Sequence, residues 1–287
     1  MPICAYLPAM STPTLTDRHA LALHRNRARR RQGGMADFLH RAVFTEVQQR
    51  LIEVNRTFTD IAVVSGFPEL WAQFLPEARH VADAAFLDLE EGAHDLVLHA
   101  LALHWADDPV GQLVQCRRAL RPDGLFLGAA LGGETLAPLR RVLAQAEAEI
   151  SGGLSPRVAP MGEIRDLGGL VQRAGFALPV ADAAPVAASY ATALHLMTDL
   201  RAMGETNALA TRHRKIPPRA LFPRAAALYA ESCALAGGRV SASFDVIYLT
   251  GWAPGPGQPK ALRPGSATER LADALGAEER PLPGPKD

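Results

Sequence analysis

The sequence predicts an α/β fold built on a doubly wound, mostly parallel β-sheet. Two observations support this prediction. Short apolar or β-branched runs that suit buried strands alternate along the chain with amphipathic stretches that suit helices. The 287 residues are also 48% hydrophobic and 21% charged, which is the composition of a globular protein with a sizeable core. In such a sheet, ligands bind beyond the carboxyl ends of the strands.

The first part of the chain predicts an N-terminal helix followed by a strand, a helix and two further strands. Apolar residues recur at helical spacing from 35 to 54. Residues 61–64 form a β-branched run typical of a buried strand, and Pro68 suits the first turn of a helix that reaches about residue 75. Strands are expected at 79–82 and at 95–103.

The second part continues the alternation and ends in a stretch of different composition. The predicted elements are a helix at 108–120 capped by Asp108, a strand at 125–130, helices at 135–150, 161–174, 190–203 and 218–236, and strands at 177–188 and 243–252. We therefore divide the chain into a basic N-terminal extension at 1–34, the α/β domain at 35–252 with extra C-terminal helices, and a tail at 253–287. That tail holds seven prolines and five glycines.

Charge, hydrophobic runs and cysteine content indicate which partners and which cellular location to expect. Thirty basic residues balance thirty acidic residues, so the chain has no net field to recruit nucleic acid. No apolar run approaches the roughly 20 residues that span a bilayer, so no transmembrane segment is expected. The three cysteines are far apart, which favours a reducing, cytoplasmic location. The N-terminal arginines superficially resemble a transit peptide, although a solvated helix face or tail is the favoured interpretation.

Two motifs resemble those of class I S-adenosylmethionine-dependent methyltransferases. The segment LRPDGLF at 120–126 lies between a helix and a strand, about twenty residues after an apolar strand that ends near His104. The segment ADAAFLDL at 82–89 is similar to the family's Ala-Asp-x-x-x-Leu-Pro-Phe, with Asp88 in place of the proline. The resemblance implies that Asp83 contacts the adenine amine of the cofactor, whereas the residue by itself could simply end a strand.

A narrower resemblance is to the mitochondrial and alphaproteobacterial complex I assembly factor family with a methyltransferase domain. It covers about residues 15 to 270, and related methyltransferases act on the malonyl carrier protein of biotin synthesis. Five segments carry it: LALHW at 101–105, GGETL at 132–136, GGLSP at 152–156, MGETN at 203–207 and GSAT at 265–268. The resemblance implies a protein partner, a complex I subunit, with modification of an arginine that is reported as hydroxylation.

The cofactor loop departs from the family pattern. A methyltransferase needs a Gly-x-Gly-x-Gly turn after its first strand, where missing side chains let the backbone approach the cofactor. This chain has only Gly66 there, followed by Phe67 and by Pro68, which lacks a backbone N–H. Ser65, Gly66, Asp83 and Leu103 are the candidate cofactor-binding residues, and we expect S-adenosylmethionine binding to be weak or lost.

The spacing between Gly66 and Asp95 predicts a shortened sheet. Only 29 residues separate them, whereas two strands, two helices and their loops need roughly 50. One strand and one helix of the standard seven-stranded plan should therefore be missing. The missing strand would be the second, whose terminal acid holds the cofactor ribose in the family.

Five further residues are candidates for chemistry at the strand ends. We predict catalytic roles for His104, Glu205 and Asn207 and substrate contacts for Trp105 and Glu134, all around one crevice, with no metal site. Each has a plainer explanation: an aromatic plug at a strand end, a helix-start acid, or turn residues beside a capped helix. If Glu205 and Asn207 are exposed, their truncation should cost under about 0.5 kcal/mol.

The sequence therefore leaves three functions open. The leading one is a methyltransferase-like protein with a degenerate cofactor loop that acts on a protein during complex I assembly. The alternative is a non-catalytic assembly or scaffold protein that has lost cofactor binding. An active small-molecule methyltransferase ranks last, because it needs an intact glycine loop.

Overall fold

The computed structural model describes residues 14–258 and Gly276. The chain divides into two compact units, Met1–Pro254 and Gly255–Asp287. Most of the tail that the sequence predicts at 253–287 lies outside the described residues, as does the segment 265–268.

Helices and strands alternate through the first unit, as predicted. The α-helices are α1 Arg18–Arg29, α2 Phe38–Val54, α3 Pro68–Phe74, α4 Pro109–Ala119, α5 Ala137–Ser151, α6 Ile164–Arg173, α7 Ala193–Met203 and α8 Leu221–Ser232. The strands are β1 Ile61–Ser65, β2 Arg79–Ala82, β3 His94–Ala100, β4 Leu120–Gly132, β5 Ala177–Tyr190 and β6 Val240–Trp252. No helix in the described part of the chain is long and apolar enough to cross a membrane.

The six strands form one mixed sheet in the order β2-β1-β3-β4-β6-β5. The pairs among β2, β1, β3 and β4 are parallel. Strand β6 lies antiparallel between β4 and β5. The four parallel strands therefore have their carboxyl ends at one edge, where the sequence places its candidate residues.

Helices cover both faces of this sheet. Along β3 the side chains alternate: Leu96 and Leu98 belong to a core built with α2, α5, α7 and α8, whereas Val97 belongs to a core built with α4 and α6. Both cores are fully buried at these positions. The sheet is doubly wound, as the apolar runs of the strands predict.

The segment between Gly66 and Asp95 contains few elements, in agreement with its short length. Between Gly66 and Asp95 the chain forms only α3, β2 and the start of β3. Strand β2 pairs directly with β1, with Ser65 opposite Ala82. Asp83 therefore follows a strand that is the immediate neighbour of β1.

Several strand boundaries differ from the prediction, and the end of β3 and the start of β4 differ for local reasons. Strand β3 ends at Ala100 and not at Leu103, because Leu101 takes a left-handed conformation with φ 49°. Residues Leu103–Trp105 then form a 3₁₀ turn. Strand β4 begins at Leu120, which pairs with His94, and a register shift follows before regular pairing resumes.

The basic N-terminal segment forms a helix with one exposed face and one buried face. Residues 18–29 form α1, and they belong to the same compact unit as the sheet. Leu21, Arg25 and Ala28 on this helix are buried, so the solvated interpretation is wrong for Arg25. Their spacing of four and three residues places them on one side of the helix. The N-terminal extension therefore contributes to the core.

Candidate functional site

Helix α1 lies over the end of β1, where the cofactor loop was expected. A Cβ on Gly66 would come within 2.6 Å of the Arg25 Nε, so that guanidinium fills the space above the glycine. Arg29 Nη2 donates a hydrogen bond of 2.8 Å to the Gly66 carbonyl oxygen and packs over the buried Phe67 ring. The loop that should admit a cofactor is covered by the chain's own arginines.

The side chain of Asp83 is fully buried and holds α1 in place. Its carboxylate accepts hydrogen bonds from Arg18 at 3.0 and 3.2 Å, from Arg25 at 3.1 Å and from Gln112 at 3.2 Å. Burial alone would raise the pKa of this carboxyl, but the Arg18 hydrogen bond and the charges of Arg25 and Arg18 lower it to about 2. Asp83 is an ionised anchor for two arginines.

A second anchor fixes the start of α1. The Asp17 carboxylate caps the helix through the Ala20 N–H at 3.0 Å and pairs with Arg212 at 2.8 Å. The Asp17 N–H also donates to the Ala208 carbonyl oxygen at 2.7 Å. Helix α1 is thereby attached both to the sheet edge and to the segment that follows α7.

The residues at this crevice do not fit S-adenosylmethionine in the arrangement observed. The Ser65 hydroxyl accepts from the Phe67 N–H at 3.1 Å, and Gly66 is covered by Arg25. Asp83 is paired with arginines, and Leu103 is buried in the core. The four predicted cofactor residues thus contact protein groups and present no open cradle. Weak or absent cofactor binding stays a prediction, and this geometry supports it.

A separate pocket of about 570 Å³ opens beyond the ends of β3 and β4. His104 and Trp105 reach it from the 3₁₀ turn after β3, and Leu131 from the end of β4. Helices α1, α5 and α7 and the loop at 157–161 supply the other walls. Its volume lies in the range of small-molecule sites.

Glu205 joins the two aromatic residues at this pocket. Its Oε2 accepts from Trp105 Nε1 at 2.7 Å and from His104 Nε2 at 3.2 Å. His104 Nδ1 accepts from the Leu131 N–H at 3.4 Å, which leaves the proton on Nε2. Burial alone would raise the pKa of Glu205, but the hydrogen bond from His104 and the nearby charge of Arg25 lower it. The carboxylate is therefore ionised near neutral pH.

A glycine places Glu205 in this position. Gly204 ends α7 in the left-handed region with φ 78°, and the Glu205 N–H closes the cap on the Leu200 carbonyl oxygen at 2.9 Å. A Cβ at Gly204 would meet Phe67 Cζ at 3.0 Å and Arg25 Cα at 3.2 Å. Only glycine suits both the conformation and the close approach of α1.

Asn207 lies at the same pocket but is engaged in holding loops together. Its Nδ2 donates to the Pro156 carbonyl oxygen at 2.7 Å, and its Oδ1 accepts from the Leu209 N–H at 3.1 Å. The neighbouring Arg157 is bound by Glu147 through two hydrogen bonds of 3.1 and 2.6 Å. These contacts hold the pocket wall that follows α5.

Four of the five predicted residues come together, and one does not. His104, Trp105, Glu205 and Asn207 all line the pocket, while their catalytic or substrate roles stay predictions. The placement of Glu134 in the same crevice is wrong: it is exposed on the turn before α5, outside the pocket lining. The expectation that Glu205 is exposed is also wrong, because only 12% of its side chain is accessible.

Sequence reasoning missed the arginines that shape both regions. Arg18 and Arg25 are seven residues apart on α1, a spacing that puts them on one helix face with the buried Leu21 and Ala28. That periodicity was available in the sequence. Their partner Asp83 could not be read from it, because it lies 58 residues beyond Arg25. Among the described residues, no three His, Cys, Asp or Glu side chains converge as a metal site does.

The topology and a family match define the class of the protein. Residues 36–128 match the methyltransferase domain family. Together with the doubly wound sheet and its reversed strand β6, this makes the chain a protein of the class I methyltransferase fold.

Individual proteins are also similar to this chain in sequence. The zebrafish (Danio rerio) mitochondrial arginine-hydroxylase NDUFAF5 is 40% identical over 199 residues, which is 69% of this chain and 62% of the relative. The human protein of that name is 38% identical over 194 residues, 68% of this chain and 56% of the relative. A malonyl-[acyl-carrier protein] O-methyltransferase of Laribacter hongkongensis is 37% identical over 173 residues, 60% and 56% of the two chains.

The chain is similar in sequence to the arginine-hydroxylase NDUFAF5 proteins. It spans about three fifths of the length of the relatives that it matches.

Proposed function

We propose that this protein is a methyltransferase-like assembly protein that engages a protein of respiratory complex I, and that it does so without S-adenosylmethionine. The observation that carries the proposal is the Arg25 guanidinium over Gly66, paired with the buried Asp83. A chain that fills its cofactor crevice with its own helix is suited to binding a partner and not to methyl transfer.

The local chemistry at the end of β1 supports the same conclusion. Pro68 occupies the first turn of α3 and has no N–H to offer an anion. The Phe67 ring is buried between His40 and the α1 arginines. Moving this ring out of its packed position would therefore cost free energy. Moving α1 aside would therefore still leave a loop with one glycine and two bulky residues.

A second candidate function is modification of an arginine in the partner protein. The 40% identity to a protein named arginine-hydroxylase favours it. Mass spectrometry of the complex I subunits, purified from cells with and without this protein, tests it directly. An arginine that is modified only when the protein is present supports this candidate function. Identical subunit masses with and without the protein would contradict it.

A cytoplasmic location is part of the proposal. Cys116 and Cys233 are buried free thiols, which suits a reducing compartment. Fractionation of the source cells tests the location.

Calorimetric titration of the full chain with S-adenosylmethionine tests the main proposal. We expect no saturable heat at ligand concentrations up to about 1 mM. A dissociation constant of that size corresponds to a binding free energy of only about 4 kcal/mol. The matched variant Arg25→Ala removes the guanidinium above Gly66 and should still bind no tighter than the millimolar range. Micromolar binding by the unmodified chain would overturn the proposal.

Loss of the gene and its complementation test the role in assembly. Complex I activity should fall without the protein and return with the unmodified chain. It should also return with Arg25→Ala, if that variant folds to the same melting temperature. No effect of the gene loss on complex I would contradict the proposed partner.

A further inference from the structure

We propose that the 570 Å³ pocket binds a small amphipathic anion, an aliphatic or aromatic group that ends in a carboxylate or phosphate. This inference goes beyond the proposed assembly function and does not rest on it. It follows from the charges around the pocket, from which of those charges are already paired, and from the apolar side chains between them.

The pocket lining has a strong excess of positive charge. Four arginines, Arg27, Arg31, Arg157 and Arg201, line it against the single acid Glu205. The chain as a whole carries equal numbers of basic and acidic residues, so this excess is local. A concave surface of one sign concentrates the field and attracts ligands of the opposite sign.

Most of this positive charge lacks an ionic partner in the part of the chain that the structure describes. Arg27 and Arg201 are exposed and make no ion pair there. The Arg31 guanidinium donates to the neutral Thr198 carbonyl oxygen at 3.2 Å and makes no ion pair among the described residues. Arg157 differs, because Glu147 holds it as part of the wall. Three guanidinium groups thus remain to bind a carboxylate or phosphate, for which their fork geometry is suited.

The rest of the pocket is apolar. Its hydrophobic lining includes Leu131, Leu136, Leu139, Leu143, Met197 and Phe222. A ligand that buries only a charged group would leave these side chains against water, whereas an apolar chain would displace that water favourably. The exposed arginines and the buried leucines together specify a ligand with an anionic end and an apolar body.

Glu205 does not make the pocket a cation site. Its Oε2 already accepts from His104 and Trp105, and its charge also interacts with the buried Arg25. A cationic ligand would have to displace these contacts and lie near three unpaired arginines. The cation should therefore bind more weakly than an anion of the same shape.

A matched pair of probes tests the charge requirement. Decanoate and decylammonium have the same chain length and opposite charges, and both are titrated calorimetrically into the full chain at pH 7 and low salt. We expect saturable one-to-one binding of decanoate and at least tenfold weaker binding of decylammonium. Decanoate affinity should fall as salt is raised, because the guanidinium groups are exposed.

Arginine variants test the location. The double variant Arg27→Gln with Arg201→Gln should weaken decanoate binding at least tenfold, or about 1.4 kcal/mol. The control Arg30→Gln changes an exposed arginine at the end of α1 that does not line the pocket, and it should leave the affinity unchanged. All three positions are exposed, so melting temperatures should stay close to that of the unmodified chain. If the double variant misfolds, the single variant Arg201→Gln replaces it in the decanoate titration and should also bind more weakly.

Several results would overturn this inference. They are no saturable decanoate binding, equal binding of both probes, or an equal loss with Arg30→Gln. An apolar peptide that contains Glu and binds when decanoate does not would assign the pocket to a protein segment. That result would also reject the inference of a small-anion site. The titration with S-adenosylmethionine is independent, so failure here is distinguishable from failure of the assembly proposal.

Discussion

Replacing Asp83 by asparagine should detach helix α1 from the sheet edge. The substitution keeps the size of the side chain but removes the charge that pairs with Arg25 and Arg18. Arg25 is buried, and its Nε and Nη2 have no hydrogen-bond partner among the described residues. Asp83 is therefore the carboxylate in direct contact with this buried guanidinium, and its loss leaves Arg25 without that paired charge.

The size of the expected loss of stability follows from the pKa of the Asp83 carboxyl. A fall in pKa from 3.8 to about 2 corresponds to roughly 2 kcal/mol of stabilisation. Removing one partner of a buried ion pair costs about 3–5 kcal/mol, and the half-exposed Arg18 places this site toward the lower value. We expect Asp83→Asn to lose about 2–4 kcal/mol of the free energy of unfolding at pH 7.

The pH dependence gives a second check. Because the folded pKa of Asp83 lies below its unfolded value, its contribution is fully present above about pH 5 and is lost as the pH falls through about 2. Asparagine does not titrate, so the difference between the two proteins should shrink over that interval. Urea denaturation at pH 7 and pH 3 measures it.

A matched control is available on the same segment. Asp88 is exposed and pairs only with Arg79 at 3.1 Å, so Asp88→Asn should cost under about 0.5 kcal/mol. Trypsin should also cut α1 faster in Asp83→Asn than in the control. A loss below 0.5 kcal/mol for Asp83→Asn, or a difference that does not change with pH, would refute the reasoning.

Substitutions at three further positions test the pocket. Glu205→Ala should lower the free energy of unfolding by about 1–3 kcal/mol in urea denaturation, because it leaves the buried Trp105 ring nitrogen without its acceptor, and Glu205→Gln should lose less. Arg157→Ala should speed proteolysis of the loop after α5, since it removes the partner of Glu147, and an unchanged cleavage rate would contradict this. Gly204→Ala should cost at least about 1 kcal/mol in thermal unfolding from its positive φ and close contacts, and a neutral result would show that α1 shifts readily.

Local patterns were enough to predict most of the fold. The β-branched run that became β1 and the short run that became β2 have the composition and length of strands, and both were placed within one residue of their ends. The small number of elements between Gly66 and Asp95 also followed from the sequence, because the length of chain limits how many elements can fit there. Such features depend on neighbours along the chain.

The candidate site was predicted in part. His104 and Trp105 follow a strand, and Glu205 follows a helix capped by Gly204, so each could be placed near an edge of the sheet. Glu134 also lies next to a strand end, yet the turn before α5 leaves it exposed. Adjacency to a strand fixes a residue's neighbourhood but not the direction of its side chain.

The sequence by itself determined the order of strands and helices, the small number of elements between Gly66 and Asp95 and the absence of a glycine-rich loop, because all three depend on residue type and spacing. Only the tertiary structure showed that the cofactor crevice is filled, because Arg25 and Asp83 are 58 residues apart and meet through the docking of α1. It also gathered the arginines of the open pocket from three separate segments of the chain. Burial turned the charges of Arg25 and Asp83 into a fixed contact, and no local pattern encodes that burial.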